Sequence, residues 1–425
     1  MLKLPPQYKN RNMHRFIRNC VKKLLKHAFQ MKKNLLFLPL LASILLNHHT
    51  LSAQCIGGYL PSGQECGGTI QTAVPFLRII PDARSGAMGD VGIALTPDAN
   101  SILYNASKLA MADKKWGASV NYVPWFFNLG IRDMFVLHGT GYYQFGKKVK
   151  QAVGFSLKYF DLGKIQWTDY NAAPIGEGYP YEMALTGAYS RQLSDKWSLG
   201  LSAKYIHSDL ATHSRNIGVQ SGKAFAMDVS TTYKQPLQLG NMRTNLMIGV
   251  AVSNVGNKIS YVRSKDFLPA NLGIGGAWEV PFHANHKLLV SIDFNKLLVV
   301  TPQPSDRTGS WRNVSVVKGI FKSFSDAPNG FKEEMQEITT SMGLEYWLFQ
   351  RVALRGGYFH ESTYKGGREY YTLGGGLRYK MYGFNISYLK SIPKTVFSRL
   401  PLDNTWRFSL LLNGFTAKDT RLSSI

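Results

Sequence analysis

The sequence predicts an all-β fold: a transmembrane antiparallel β-barrel of about 14 strands with an N-terminal hatch segment. Three observations lead there. Apolar residues alternate with small or polar ones over segments of about ten residues. Aromatics cluster near the ends of the oily faces. Short connections alternate with long ones. Successive strand side chains point to opposite faces, so each segment has one oily and one polar face. A soluble sandwich alternates too, but its strands average about five or six residues.

Residues 1–53 read as an upstream extension plus a signal peptide that is removed. They hold ten Lys or Arg and no acidic residue, so without them the net charge of +24 falls to +14. Met31–Ala53 carries Lys32 and Lys33, an apolar run from Leu35 to Leu46, then small residues, the layout of a secretory signal. That run falls short of the roughly 20 residues a spanning helix needs. Translation from Met31 accounts for the basic stretch before it, with a long leader as the alternative. Gln54 before Cys55 argues against lipid attachment. Export permits a Cys55–Cys66 disulfide, with two free thiols as the alternative. The residual positive charge favours anionic headgroups or an acidic partner. No basic stripe carries a nucleic-acid motif, so no nucleic acid is expected.

Residues 54–112 form an N-terminal periplasmic or hatch segment. Gly86, Gly89 and Gly92 in "GAMGDVG" invite a phosphate-loop reading. The spacing is GxxGxxG rather than GxGxxG, no strand precedes it and no GK[ST] follows, which excludes that reading. Small residues instead let backbone pack closely, while Ala83, Met88, Val91 and Ile93 cover a surface. The segment suits the mouth or lumen of a barrel, where Asp82, Arg84, Asp90 and Asp98 would meet wall charges.

The barrel itself is expected over 113–415. Fourteen segments alternate: 115–124, 132–145, 149–160, 179–192, 196–208, 223–235, 242–253, 268–280, 285–296, 336–348, 351–361, 370–381, 383–391 and 405–415. In "KWSLGLSAKY", Trp197, Leu199, Leu201, Ala203 and Tyr205 share a face opposite Ser198, Gly200, Ser202 and Lys204. Tyr159, Trp197, Tyr205, Tyr388 and Trp406 mark interfacial girdles. Closure gives every backbone N–H and C=O a partner away from water. Lys158, Lys204, Glu345, Arg378 and Arg407 fall on the inward face and need water or a plug. An even count puts both termini in the periplasm, with Phe415 closing the last strand and 416–425 as a periplasmic tail. No Cys/His spacing suits zinc, and His283 and His286 read as a turn. No GxSxG elbow accompanies His207, His213 or His360. Neither cofactor, metal nor catalysis is expected.

The stretch "TAVPFLRIIPDARSGAMGDVG" (Thr72–Gly92) resembles the hatch of the FadL-like outer-membrane barrels, and within them the PorV (LptO) family of type IX secretion. "YVPW" (Tyr122–Trp125), "LKYFDLGKI" (Leu157–Ile165), "AYSRQLSDKWS" (Ala188–Ser198), "KYIHSDL" (Lys204–Leu210) and "GIFKSFSDAPNGFKEEMQEI" (Gly319–Ile338) extend the resemblance over about residues 70–415. One departure is Asn105-Ala106-Ser107, where the family often reads Asn-Pro-Ala. The resemblance implies an outer-membrane barrel without catalytic chemistry. It implies binding of C-terminal signal domains of secreted cargo, accepted from the SprA translocon and delivered to the PorU sortase for attachment to lipopolysaccharide. Candidate partner-binding aromatics are Trp125, Phe126 and Phe127 in the first outer loop, or else part of the girdle, and Phe321, Phe324 and Phe331 in the longest one. The competing expectation is a FadL-like transporter of hydrophobic small molecules.

Overall fold

The structure, a computed structural model, describes residues 69–146, 148–210, 220–262, 265–283, 285–303, 306, 308–392 and 402–414. The expectations for the signal peptide, Cys55, Cys66, Phe415 and the tail lie outside the described residues.

Among the described residues eighteen strands form. Fourteen close an antiparallel barrel: β1 (Trp116–Pro124), β2 (Met134–Phe145), β3 (Gln151–Leu162), β6 (Tyr181–Gln192), β7 (Trp197–Asp209), β8 (Gly222–Leu239), β9 (Met242–Gly256), β12 (Asn271–His283), β13 (His286–Leu297), β14 (Ile338–Leu348), β15 (Val352–His360), β16 (Glu369–Tyr379), β17 (Tyr382–Ser391) and β18 (Thr405–Asn413). Each pairs with its neighbours in sequence, and β1 pairs with β18 from Gly117–Asn413 to Tyr122–Phe408. Two hairpins, β4 (Ile165–Thr168) with β5 (Pro174–Gly178) and β10 (Ile259–Ser260) with β11 (Lys265–Asp266), stand in the long loops. No helix among the described residues is long and apolar enough to cross a membrane.

The wall follows the alternation. On β7, Trp197, Leu199 and Leu201 are exposed while Ser198 and Ser202 are buried. On β18, Trp406, Leu410 and Leu412 face outward and Arg407 and Ser409 inward. Aromatic pairs mark both rims: Trp197 on Tyr233 at the short-turn end, and Tyr205 on Phe225 and Tyr388 on Trp406 at the long-loop end. A cation at midplane on the oily face would cost about 2–4 kcal/mol, and the charged strand residues lie inside or at the rims.

β8 runs past its expected end at 235 to Leu239, so its turn is Gly240–Asn241. Beyond Lys234 it has only β9 beside it. A proline is tolerated on such an edge-like stretch, which explains Pro236 inside the strand. The segment expected to start at 336 begins at Ile338, because Phe331–Gln336 form a short helix.

The lumen is occupied by residues 73–112. Val74 and Phe76 pack with Val123, Val136, Phe160 and Ile206 near the long-loop end. Met88, Val91, Ala94 and Leu95 pack under β9, β12 and β13 against Met247, Ala277 and Leu289. Ile102 and Leu109 pack with Tyr142, Ala152 and Ala188 near the short-turn end. The chain therefore descends through the barrel from the long-loop mouth and turns back as β1. Thr69–Thr72 stand among the long loops: Ile70 packs against the Phe267–Trp311 cluster, and the Ala73 N–H donates to the Phe267 carbonyl. The expected short-turn-side N terminus lies outside the described residues, but the described chain begins at the opposite mouth.

Candidate functional site

Two features carry the chemistry, the hatch inside the wall and the long loops. The hatch is locked by polar contacts. Asp82 caps the single helical turn Ala83–Gly86, accepting from the Arg84 and Ser85 N–H groups. It also accepts from Asn100, whose side-chain carbonyl accepts from Asn121 of the wall. Arg84 donates through Nε and Nη2 to Glu345 at 2.9 and 2.8 Å. Its Nη1 donates to Asp98 at 2.9 Å, so Asp98 meets its own segment rather than the wall. Arg355 also donates to Glu345, at 2.7 Å. Asp90 accepts from Tyr370 at 2.6 Å and lies 3.2 Å from Arg407.

The other inward charges are also engaged. Lys158 donates to the carbonyls of Leu77 and Ile79. Lys204 pairs with Asp228 within the wall. Arg378 lies exposed at the short-turn rim, stacked over Trp347. Buried charges are tolerated when paired and hydrogen-bonded, and the plug supplies much of that pairing.

Sequence reasoning missed several anchors. Asp293 accepts from the Gly92 and Ile93 N–H groups at 2.6 and 2.9 Å. Asn105 and Ser107 engage Thr232. Close approach demands glycine at the wall. A Cβ on Gly357 would stand 2.0 Å from the Gly89 nitrogen, and Gly89 has φ +68.

The loop over 298–337 holds helices Val316–Lys322 and Phe331–Gln336. Its underside is an ion network. Lys296 donates to Glu334 and Glu337 at 2.9 and 2.6 Å, and Lys365 pairs with Glu333 and Glu337 at 2.5 and 3.0 Å. Burial would raise the Glu333 carboxyl, but Lys365 and the Asn329 N–H outweigh it and hold it below its ordinary value. Burial pushes Asp326 up to about 6, against a hydrogen bond from the Thr301 N–H and with Glu337 and Glu334 adding to the rise. The "EEMQE" run, with Lys296 at the end of β13 and Lys365 in the connection after β15, is the sequence signal for this network.

The aromatic candidates divide. Trp125 is half-buried, edge-on to Phe160 at 5.7 Å, and belongs to the mouth cluster. Phe126 is half-buried with φ +54, and Phe127 is exposed. Phe321 and Phe331 are 74% and 77% exposed, with Val317 and Met335 exposed on the same two helices and Phe324 exposed in the turn after the first. No group of His, Cys, Asp and Glu among the described residues is placed to hold a metal ion.

No curated protein matches this sequence. Among solved structures, the Ralstonia pickettii toluene transporter TbuX is 12% identical over 78% of this chain and 98% of its own, with a TM-score of 0.42. The Pseudomonas putida toluene transporter TodX is 11% identical over 78% and 98%, with a TM-score of 0.45. A Pseudomonas aeruginosa FadL homologue is 12% identical over 81% and 98%, with a TM-score of 0.40. Likenesses of this size assign no ligand. The model of the family described as "Type IX secretion system protein PorV" matches residues 62–304, more than half of the chain. This outer-membrane barrel, with its hatch-filled lumen, belongs to the PorV family of the type IX secretion system.

Proposed function

We propose that the barrel is a membrane-embedded carrier that binds C-terminal signal domains of secreted cargo. It accepts them from the SprA translocon and delivers them to the PorU sortase. The long loops face the cell exterior and the short turns the periplasm, as in other transmembrane barrels. The last strand then ends on the periplasmic side, while Thr69 opens on the outer mouth. The observation that carries the proposal is the loop over 298–337: exposed Phe321 on its first short helix, Phe324 in the turn after it, and Phe331 at the start of the second helix, whose Glu333 and Glu334 are pinned by Lys365 and Lys296. Exposed aromatics on an ordered support are low-entropy anchors for a partner.

Replacing Phe321, Phe324 and Phe331 together with Ser tests this. Cargo display at the cell surface falls while barrel levels stay normal; unchanged display would overturn the proposal. A conduit for hydrophobic small molecules is the weaker reading, since hatch side chains fill the lumen beneath the mouth. Fatty-acid uptake in a deletion strain separates the two.

A further inference from the structure

The two ends of the barrel differ in charge. The short-turn side comprises 113–115 before β1 and the turns 146–150, 193–196, 240–241, 284–285, 349–351 and 380–381. These residues hold eight Lys or Arg and two Asp. The long connections, 125–133, 163–180, 210–221, 257–270, 298–337, 361–368 and 392–404, hold fifteen Lys or Arg against eleven Asp or Glu. The excess is therefore six over 21 residues at one end and four over 114 at the other. Strand ends add to the difference: Arg191 on the outward face of β6, and Lys234, Arg243, Lys287 and Arg378 at the rim on the inward face of their strands, where Glu279 pairs with Lys287.

Pairing separates the ends further. At the loop end Asp266 holds Arg312, Glu361 holds Arg368, and Asp403 holds Lys390. At the turn end Lys148, Lys150, Arg191, Lys196, Arg243 and Arg351 are exposed, and none has an ion-pair partner among the described residues. Lys115 and Lys380 lie over the rings of Tyr143 and Tyr379. Every turn but 284–285, whose neighbouring Lys287 is held by Glu279, contributes a cation without an ion-pair partner among the described residues, in the turn or at the strand end beside it, so on a closed barrel the charge runs round most of the circumference. Exposed Trp116, Tyr143, Tyr189, Trp197 and Trp278 stand at the same end. Such aromatics mark the headgroup level of a membrane. A protein partner covers one sector of a barrel, whereas a lipid leaflet meets all of it.

We propose that this basic ring is a binding site for anionic phospholipid headgroups in the leaflet that surrounds the short turns. Phosphates at headgroup depth neutralise cations that have no carboxylate of their own. The inference rests on the membrane placement of the barrel. It does not depend on the carrier reading or on which way the turns face, because the experiment below uses bilayers accessible from both sides.

The full chain is placed in nanodiscs of phosphatidylethanolamine with a minority of phosphatidylglycerol, and retained lipids are identified by native mass spectrometry. Phosphatidylglycerol is enriched several-fold on the protein over its share in the bilayer, and the enrichment falls as salt rises. The variant Lys148→Gln/Lys150→Gln/Arg191→Gln/Lys196→Gln/Arg243→Gln/Arg351→Gln loses it. Lys318→Gln/Lys322→Gln/Lys332→Gln at the loop end keeps it. Heat-dependent gel mobility confirms that each barrel is folded. If the sixfold variant does not fold, the two halves Lys148/Lys150/Arg191 and Lys196/Arg243/Arg351 are changed separately, each losing part of the enrichment. Equal retention of the two lipids by the wild type, or undiminished enrichment in the folded variants, overturns the proposal. So does an acidic protein that copurifies through these residues while the lipid is not enriched.

Discussion

Glu345 is fully buried and serves two guanidiniums, Arg84 of the hatch and Arg355 of the neighbouring strand. Glu345→Gln leaves Arg355 without its carboxylate and Arg84 with Asp98 alone. Breaking a buried pair by removing one partner costs about 3–5 kcal/mol, so the urea midpoint followed by tryptophan fluorescence drops markedly. An unchanged midpoint would show that the cluster is solvated. The Asp326 carboxyl behaves in the opposite sense. Its folded value of about 6 lies above the ordinary 3.8. Charging it opposes loop docking, and the penalty grows as pH rises between those values. Asp326→Asn therefore slows proteolysis of the 298–337 loop at neutral pH, and the difference closes below about pH 4; equal cleavage at neutral pH would refute it. Neither residue announces its role in sequence. Glu345 reads only as an inward charge, since its partner stands 261 positions away. Asp326 sits in a polar run whose burial comes from folding against Thr301.

At the scale of elements, the fourteen barrel strands were legible because each exposes one face to lipid and one to the hatch, which writes a period of two into the sequence. The hairpin β4–β5 left no such trace. Both of its faces are largely exposed, so "IQWT" and "PIGEG" do not alternate. The hatch was legible as a plug from its glycines and position, but its registry was not, because Asp293 on β13 looks like any polar strand residue until Gly92 and Ile93 reach it. That registry is testable through the wall. Gly357→Val puts side-chain atoms where the Gly89 backbone lies. The hatch is displaced, conductance across planar bilayers rises above wild type, and the hatch becomes open to trypsin. Wild-type conductance in a folded variant would mean that the hatch shifts without leaving its seat.

For the whole molecule the decisive question is which mouth faces outward. In a background with Cys55→Ser and Cys66→Ser, Gln71→Cys reacts with a membrane-impermeant maleimide on intact cells, and Lys148→Cys does not. The reverse pattern would invert the orientation and with it the carrier proposal. Even strand number, alternating connection lengths and aromatic rims let the sequence speak for the barrel as a whole. It misled on the path of the first segment: the even strand count set that segment on the short-turn side, although polarity and glycine content suit a plug entering from either end. The contacts of Ile70 and Ala73 with the long loops place its described start at the opposite mouth.

A peptide running in at one mouth and continuing at the other into the first stave of a sealed cask is captive. At the turn side it runs on into the wall and cannot drop out there as a unit. It can only be drawn back toward the loop mouth, unless the seam between the first and last staves unzips. Whatever unblocks this pore must tug from the loop mouth or split the wall.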